Sequence, residues 1–128
     1  MNLLIVDNDV STVITLEASL LSAEKFTIDK AYGGKEGLEK MKASANIDLV
    51  LLDIMMPDIS GIDVCKAMVA DKELAKIPVL LMSALPITSK DFQESLKEFN
   101  ELQVVKGVLE KPFSVDDLIS KVDTITKK

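Results

Sequence analysis

Leu49-Val50-Leu51-Leu52 runs without a polar interruption and stops at Asp53, ahead of Ile54-Met55-Met56-Pro57-Asp58-Ile59-Ser60-Gly61. A short apolar run without alternation describes a strand covered on both faces, not one with a wet side. Such a strand needs a packed layer above and below it, which excludes a one-sided sheet. A carboxylate at the end of so buried a strand costs free energy unless chemistry uses it. Pro57 and Gly61 then bracket a loop before the next helical pattern.

The same design recurs along the chain. Leu3-Leu4-Ile5-Val6 ends at Asp7-Asn8-Asp9, Pro78-Val79-Leu80-Leu81-Met82 ends at Ser83, and Val104 to Leu109 leads into Glu110-Lys111-Pro112. Phe26-Thr27-Ile28-Asp29-Lys30-Ala31 alternates, as a strand nearer an edge does. Helical spacing joins Val10, Val13, Ile14, Leu20 and Leu21, then Leu38 and Met41. A helix from Ile62 carries Cys65, Met68 and Val69 inward. Phe92, Leu96 and Phe99 follow a capping box at Thr88. Val115, Leu118, Ile119, Val122 and Ile125 make a last stripe. Asp9, Thr88 and Ser114 are read as helix caps, and Cys65 as an inert core thiol.

Five strands alternating with five helices predict a three-layer α/β fold, a doubly wound parallel sheet of flavodoxin type. In the order 2-1-3-4-5, strand order reverses between the first and third strands, which end at Asp7-Asn8 and Asp53. Ligands bind such sheets at that reversal. Ser83 and Lys111 arrive at the same edge.

A chain of 128 residues is expected to be one domain, residues 1–128, with no output domain after its last helix. Its net charge of −6 opposes direct nucleic-acid binding. The start lacks a signal-peptide pattern, no run is long enough for a membrane span, and one cysteine makes no internal disulfide. A cytoplasmic protein with no membrane contact is expected. The absence of histidine removes imidazole metal sites and Ser-His catalysis.

Carboxylates held together stay ionised only with a cation among them. Oxygen donors without histidine or thiolate suit a hard cation, with Mg²⁺ the natural choice. Asp53 would then act as a nucleophile toward phosphorus, with a lysine and a hydroxyl available to the phosphoryl oxygens.

The acidic end of the first strand, Asp53…Met56-Pro57…Gly61, Ser83-Ala84 and Lys111-Pro112 occur in an order that resembles the receiver domains of two-component response regulators, the CheY-like family. The resemblance implies that Asp53 takes phosphate from a phosphohistidine on a sensor histidine kinase or phosphotransfer protein. It implies Asp7, Asn8, Asp53 and the Met55 carbonyl around Mg²⁺, and Ser83 and Lys111 on the phosphoryl group. Output would pass to a protein target through the face of the fourth helix, fifth strand and fifth helix, from a monomer or a phosphorylation-linked dimer. Such a domain is a phosphoacceptor, not an enzyme acting on other molecules.

Three departures are visible. Asn8 stands where the family usually has a second acid, so weaker Mg²⁺ binding is expected. Val108 replaces the aromatic residue three positions before the lysine. The stretch from Ser83 to Lys111 is several residues longer than usual. Two alternatives remain: a receiver-like docking module that works without phosphorylation, and a small Mg²⁺ phosphatase of the haloacid-dehalogenase type. The second is suggested by the Asp-x-Asp spacing of Asp7-Asn8-Asp9.

Overall fold

The predicted strands all form, each parallel to its neighbours. In a computed structural model describing residues 1–43, 46–84, 90, 94, 97 and 102–126, the order is β1 (Asn2–Val6), α1 (Val10–Leu21), β2 (Thr27–Ala31), α2 (Gly34–Ala43), β3 (Leu49–Asp53) and α3 (Gly61–Val69). A single 3-10 turn at Leu74–Lys76, β4 (Val79–Ser83), β5 (Val105–Glu110) and α4 (Val115–Thr126) follow. The spatial order is β2-β1-β3-β4-β5, the predicted doubly wound, flavodoxin-like α/β arrangement. The helix start at Thr88 and the apolar positions Phe92, Leu96 and Phe99 lie outside the described residues. Lys90, Glu94 and Lys97 within that stretch are helical and exposed.

The unbroken apolar runs make two cores because successive side chains leave opposite faces of a strand. Leu3, Ile5, Leu49, Leu51, Leu80 and Met82 join the core under α1 and α4. Leu4, Val6, Val50, Leu52, Val79 and Leu81 join the core under α2 and α3. Every residue of β3 and β4 is buried.

Three apolar assignments need correction. On α1 the buried residues are Val13, Leu16 and Leu20, while Val10, Ile14 and Leu21 are exposed, Ile14 by 57%. At 3.6 residues per turn the second set lies about 100° round the helix from the first. It forms a separate stripe that the sheet does not reach. On α3 the inward residues are Val64, Cys65 and Met68, and Val69 is exposed. On α4 Leu118 and Val122 are buried, and Val115 at the open first turn is exposed.

Local signals set the helix ends. The Asp9 carboxylate accepts from the Ser11 amide at 3.0 Å and from Thr12 Oγ1 at 2.9 Å. Ser114 Oγ accepts from the Asp117 amide at 3.0 Å. α1 closes through Ala23 and Glu24 amides on Leu20 and Leu21 carbonyls, which forces Glu24 to a left-handed φ of 57°. Glycine takes that conformation without a Cβ clash. Glu24→Gly is therefore expected to stabilise the fold by about 0.5–1 kcal/mol. A urea unfolding curve checks it, and an unchanged midpoint would count against it.

Candidate functional site

Parallel pairing of Val6 with Leu52 makes Asp7 and Asp53 the next two residues along adjacent strands. Both have the same parity, so their side chains leave the same side of the sheet edge. On the other flank Ser83 is paired with Glu110, and the Lys111 amide donates to the Ser83 carbonyl at 2.7 Å. Asp7 is fully buried, Asp53 is 8% exposed and Ser83 is buried.

Lys111 reaches both acids. Its Nζ lies 2.8 Å from Asp7 Oδ2 and 3.7 Å from Asp53 Oδ1, with the lysine side chain 21% exposed. The other Asp7 oxygen accepts from the Asp9 amide at 2.9 Å. Burial and then the charge of Asp7 push the Asp53 carboxyl up to about 6, against the opposing pull of Lys111 and a hydrogen bond from the Met55 amide. Loss of water and the neighbouring Asp7 together outweigh what one lysine offsets.

The turn after Asp53 is held by close approach. Gly61 donates its amide to the Ile54 carbonyl at 2.8 Å. A Cβ at Gly61 would stand 2.8 Å from the Asp53 carbonyl oxygen, so only a hydrogen fits where α3 abuts the end of β3. Ser60 caps that helix, its Oγ facing the Asp63 amide at 3.4 Å.

Asp7, Asp53, Ser83 and Lys111 thus come to one edge. Asn8 lies at the same edge and is exposed; the Met55 side chain is 64% exposed while its amide faces Asp53. Asp9 is spent on α1 and adds no third acid. Val108 is half-buried against the core under α2 and α3. Cys65 is buried, and its thiol is pushed up to about 12 by that burial. Sequence reasoning missed the Asp58 carboxylate, which bonds to the Gly34 and Lys35 amides. A contact across 24 residues leaves no local signal.

The donors suit Mg²⁺. They are all oxygen, and the elevated Asp53 marks a place where a divalent charge would be welcome. Among the described residues no group of three or more His, Cys, Asp or Glu stands close enough to hold a metal. Asp7 and Asp53 would bind with help from Asn8 and the Met55 carbonyl, one charge short of a three-acid site.

A doubly wound sheet with two acids and a lysine at its reversal point agrees with the receiver domains that the sequence resembles. The family model for the response regulator receiver domain matches residues 3–123. This chain belongs to the response regulator receiver domains. Among curated proteins it is 31% identical to the "Transcriptional regulatory protein CpxR homolog" of Haemophilus influenzae, over 98% of this chain and 50% of that protein. It is 26% identical to the "DNA-binding dual master transcriptional regulator RpaA" of Synechocystis, over 98% of this chain and 49% of that protein. The chain spans about half the length of these relatives.

Among solved structures, the "CheX-CheY-BeF3-Mg+2 complex" of Borrelia burgdorferi contains a chain 33% identical, with all of this chain and 90% of that one covered at a TM-score of 0.81. The chemotaxis protein CheY4 of Vibrio cholerae shares the fold, at 24% identity, 97% of each chain and a TM-score of 0.85. Receiver domains are phosphoacceptor signalling domains that generally bind Mg²⁺ and meet histidine kinases or phosphotransfer proteins. Among the described residues no helix is long and apolar enough to cross a membrane.

Proposed function

We propose that this receiver accepts a phosphoryl group on Asp53 from a phosphohistidine donor, with Mg²⁺, and signals through phosphorylation-dependent protein contacts. The observation that supports it best is the Lys111 ammonium 2.8 Å from one buried acid and 3.7 Å from the other. An Asp53 carboxylate oxygen forms the new P–O bond while the donor's P–N bond breaks, and the electron pair leaves with the imidazole nitrogen. Bound Mg²⁺ would supply charge neutralisation for the acids and the phosphoryl oxygens. Asp7, Asn8 and the Met55 carbonyl would hold that cation beside Asp53. Lys111, released in part from Asp7, balances the incoming charge, and Ser83 offers its hydroxyl at the same edge. The product adds about 1.5–2 negative charges to the sheet edge. That charge biases the segments carrying Ser83 and Lys111.

The test is labelling by a small phosphodonor with Mg²⁺. Wild type should be labelled on Asp53, and label retained in full by Asp53→Ala would sink the assignment.

A protein donor must meet the surface that borders Asp53. α1 starts directly beyond Asp7 to Asp9 and exposes Val10 and Ile14. Next to it a groove of about 480 Å³ runs between Thr12, Thr15 and Leu16 of α1 and Lys111, Pro112 and Phe113. Exposed apolar residues beside a reactive centre suit a partner helix. Ile14→Asp is expected to slow transfer from the phosphohistidine protein at least tenfold, about 1.4 kcal/mol, with small-donor labelling unchanged. Equal slowing of both reactions, or of neither, would remove α1 from the donor surface.

A further inference from the structure

The loop after Asp53 is tied to a helix other than the one it leads into. α2 begins at Gly34 and is preceded by Gly33, which offers no side chain to cap it. The Asp58 carboxylate takes that place from across the sheet edge. Its Oδ1 accepts from the Gly34 amide at 3.2 Å and its Oδ2 from the Lys35 amide at 3.0 Å. Gly33 leaves the room for it, since a Cβ there would stand 2.9 Å from Asp58 Oδ2. The Lys35 amide holds the Asp58 carboxyl below its ordinary range against the opposing effect of burial, with the Ile59 and Gly34 amides adding to it.

The loop is pinned a second time where the Gly61 amide meets the Ile54 carbonyl at 2.8 Å. The Ile54–Gly61 bond closes the loop, and the Asp58 bonds fix its tip against α2. Met55 lies between the two pins, with its amide on Asp53 and its carbonyl assigned above to the cation.

We propose that Asp58 is a positioning residue for the cation site: by capping α2 it holds the Met55 peptide in place, so losing it weakens Mg²⁺ binding although no ligand is removed. This rests on the assignment of Mg²⁺ to the Asp53 edge. The same helix entrance provides a control. Glu36 Oε1 accepts from the Tyr32 amide at 2.7 Å, which steadies the start of α2 without touching the loop.

The experiment is a Mg²⁺ titration of the backbone amide NMR spectrum at pH 7 for wild type, Asp58→Ala, Asp58→Asn, Gly33→Ala and Glu36→Ala. Asp58→Ala should raise the Mg²⁺ Kd about tenfold and speed hydrogen exchange at the Gly34 and Lys35 amides. Gly33→Ala, whose methyl crowds the carboxylate off those amides, should act in the same direction. Asp58→Asn keeps one acceptor oxygen and should fall between. Glu36→Ala should stay within about twofold of wild type. An Asp58→Ala Kd equal to wild type would overturn the role of Asp58 while leaving the Mg²⁺ assignment standing. Equal weakening by Glu36→Ala would overturn it too, by tracing the effect to fraying of α2. A wild type with no saturable Mg²⁺ response would overturn the cation assignment and Asp58's role together.

Discussion

Asp53→Asn is expected to abolish labelling by a small phosphodonor and, in the absence of Mg²⁺, to make the protein more stable at neutral pH. The first effect follows from the nucleophile. An amide oxygen is a far poorer nucleophile toward phosphorus than a carboxylate, and the neighbouring acids Asp7 and Asp9 are both engaged in structural bonds. Asp7 is held by Lys111 and the Asp9 amide, and Asp9 caps α1. Labelling should fall at least ~100-fold.

The second effect follows from burial. Folding moves the Asp53 carboxyl from an ordinary 3.8 up to about 6, mainly because the charged form loses water and then because Asp7 is beside it. The folded protein therefore binds more protons than the unfolded chain between those two values. Stability must fall as pH rises through that window. Below pH 3.8 both states are protonated there and Asp53 is neutral to folding; above about 6 the whole cost is present.

A difference of that size corresponds to roughly 3 kcal/mol. Asparagine removes it, so Asp53→Asn should unfold about 2–3 kcal/mol later than wild type at pH 7.5, roughly 10 °C in midpoint. The gap should close as pH approaches 4. Urea unfolding of both proteins across that range checks the slope. A gap independent of pH would remove the elevated carboxyl from the account. Added Mg²⁺ should narrow the gap at pH 7.5 by stabilising wild type alone.

Lys111→Met carries the second large effect. Methionine fills much of the volume of the lysine stem but takes the cation away from fully buried Asp7, whose other oxygen accepts from the Asp9 amide. Breaking an ion pair by removing one partner strands the other charge. Lys111 is 21% exposed, so water recovers part of the loss, and a cost of about 2–3 kcal/mol at pH 7 is expected. Lysine also holds Asp53 down, so its removal lifts that carboxyl further and makes the variant's stability steeper in pH. Lys111→Met should cost less in an Asp53→Asn background than in wild type, because the two residues share one electrostatic unit. Equal costs in the two backgrounds would show that the ammonium is not coupled to Asp53. Phosphoryl acceptance by Lys111→Met should slow about 100-fold. A variant as stable and as reactive as wild type would place the ammonium outside the site.

Much of this architecture is legible in the residues. The runs at Leu3–Val6, Leu49–Leu52 and Val79–Met82 read as double-covered strands, and they are buried on both faces. The caps at Asp9 and Ser114 follow from side chains that reach amides two or three residues on. What misled was the choice of face. Val10, Ile14 and Leu21 are as apolar as Val13, Leu16 and Leu20, and spacing alone gives no preference between two adjacent stripes of one helix. The sheet covers one stripe, and the other stays in water beside the reactive edge.

Strand type and the polar residue ending each strand were set by local pattern, because the period of a strand and the length of an apolar run act over a few residues; strand order is fixed by pairing between distant segments. Which of those polar ends share a site was decided only in three dimensions. The pairing of Val6 with Leu52 brings Asp7 alongside Asp53, and Lys111 joins them from 104 residues away in the chain. The elevated Asp53 exists only once the sheet has excluded water from it. The Asp58 bond to α2 exists only once two loops meet. Chemistry was written at the strand ends; charge balance and geometry came from packing, which no short stretch of residues encodes.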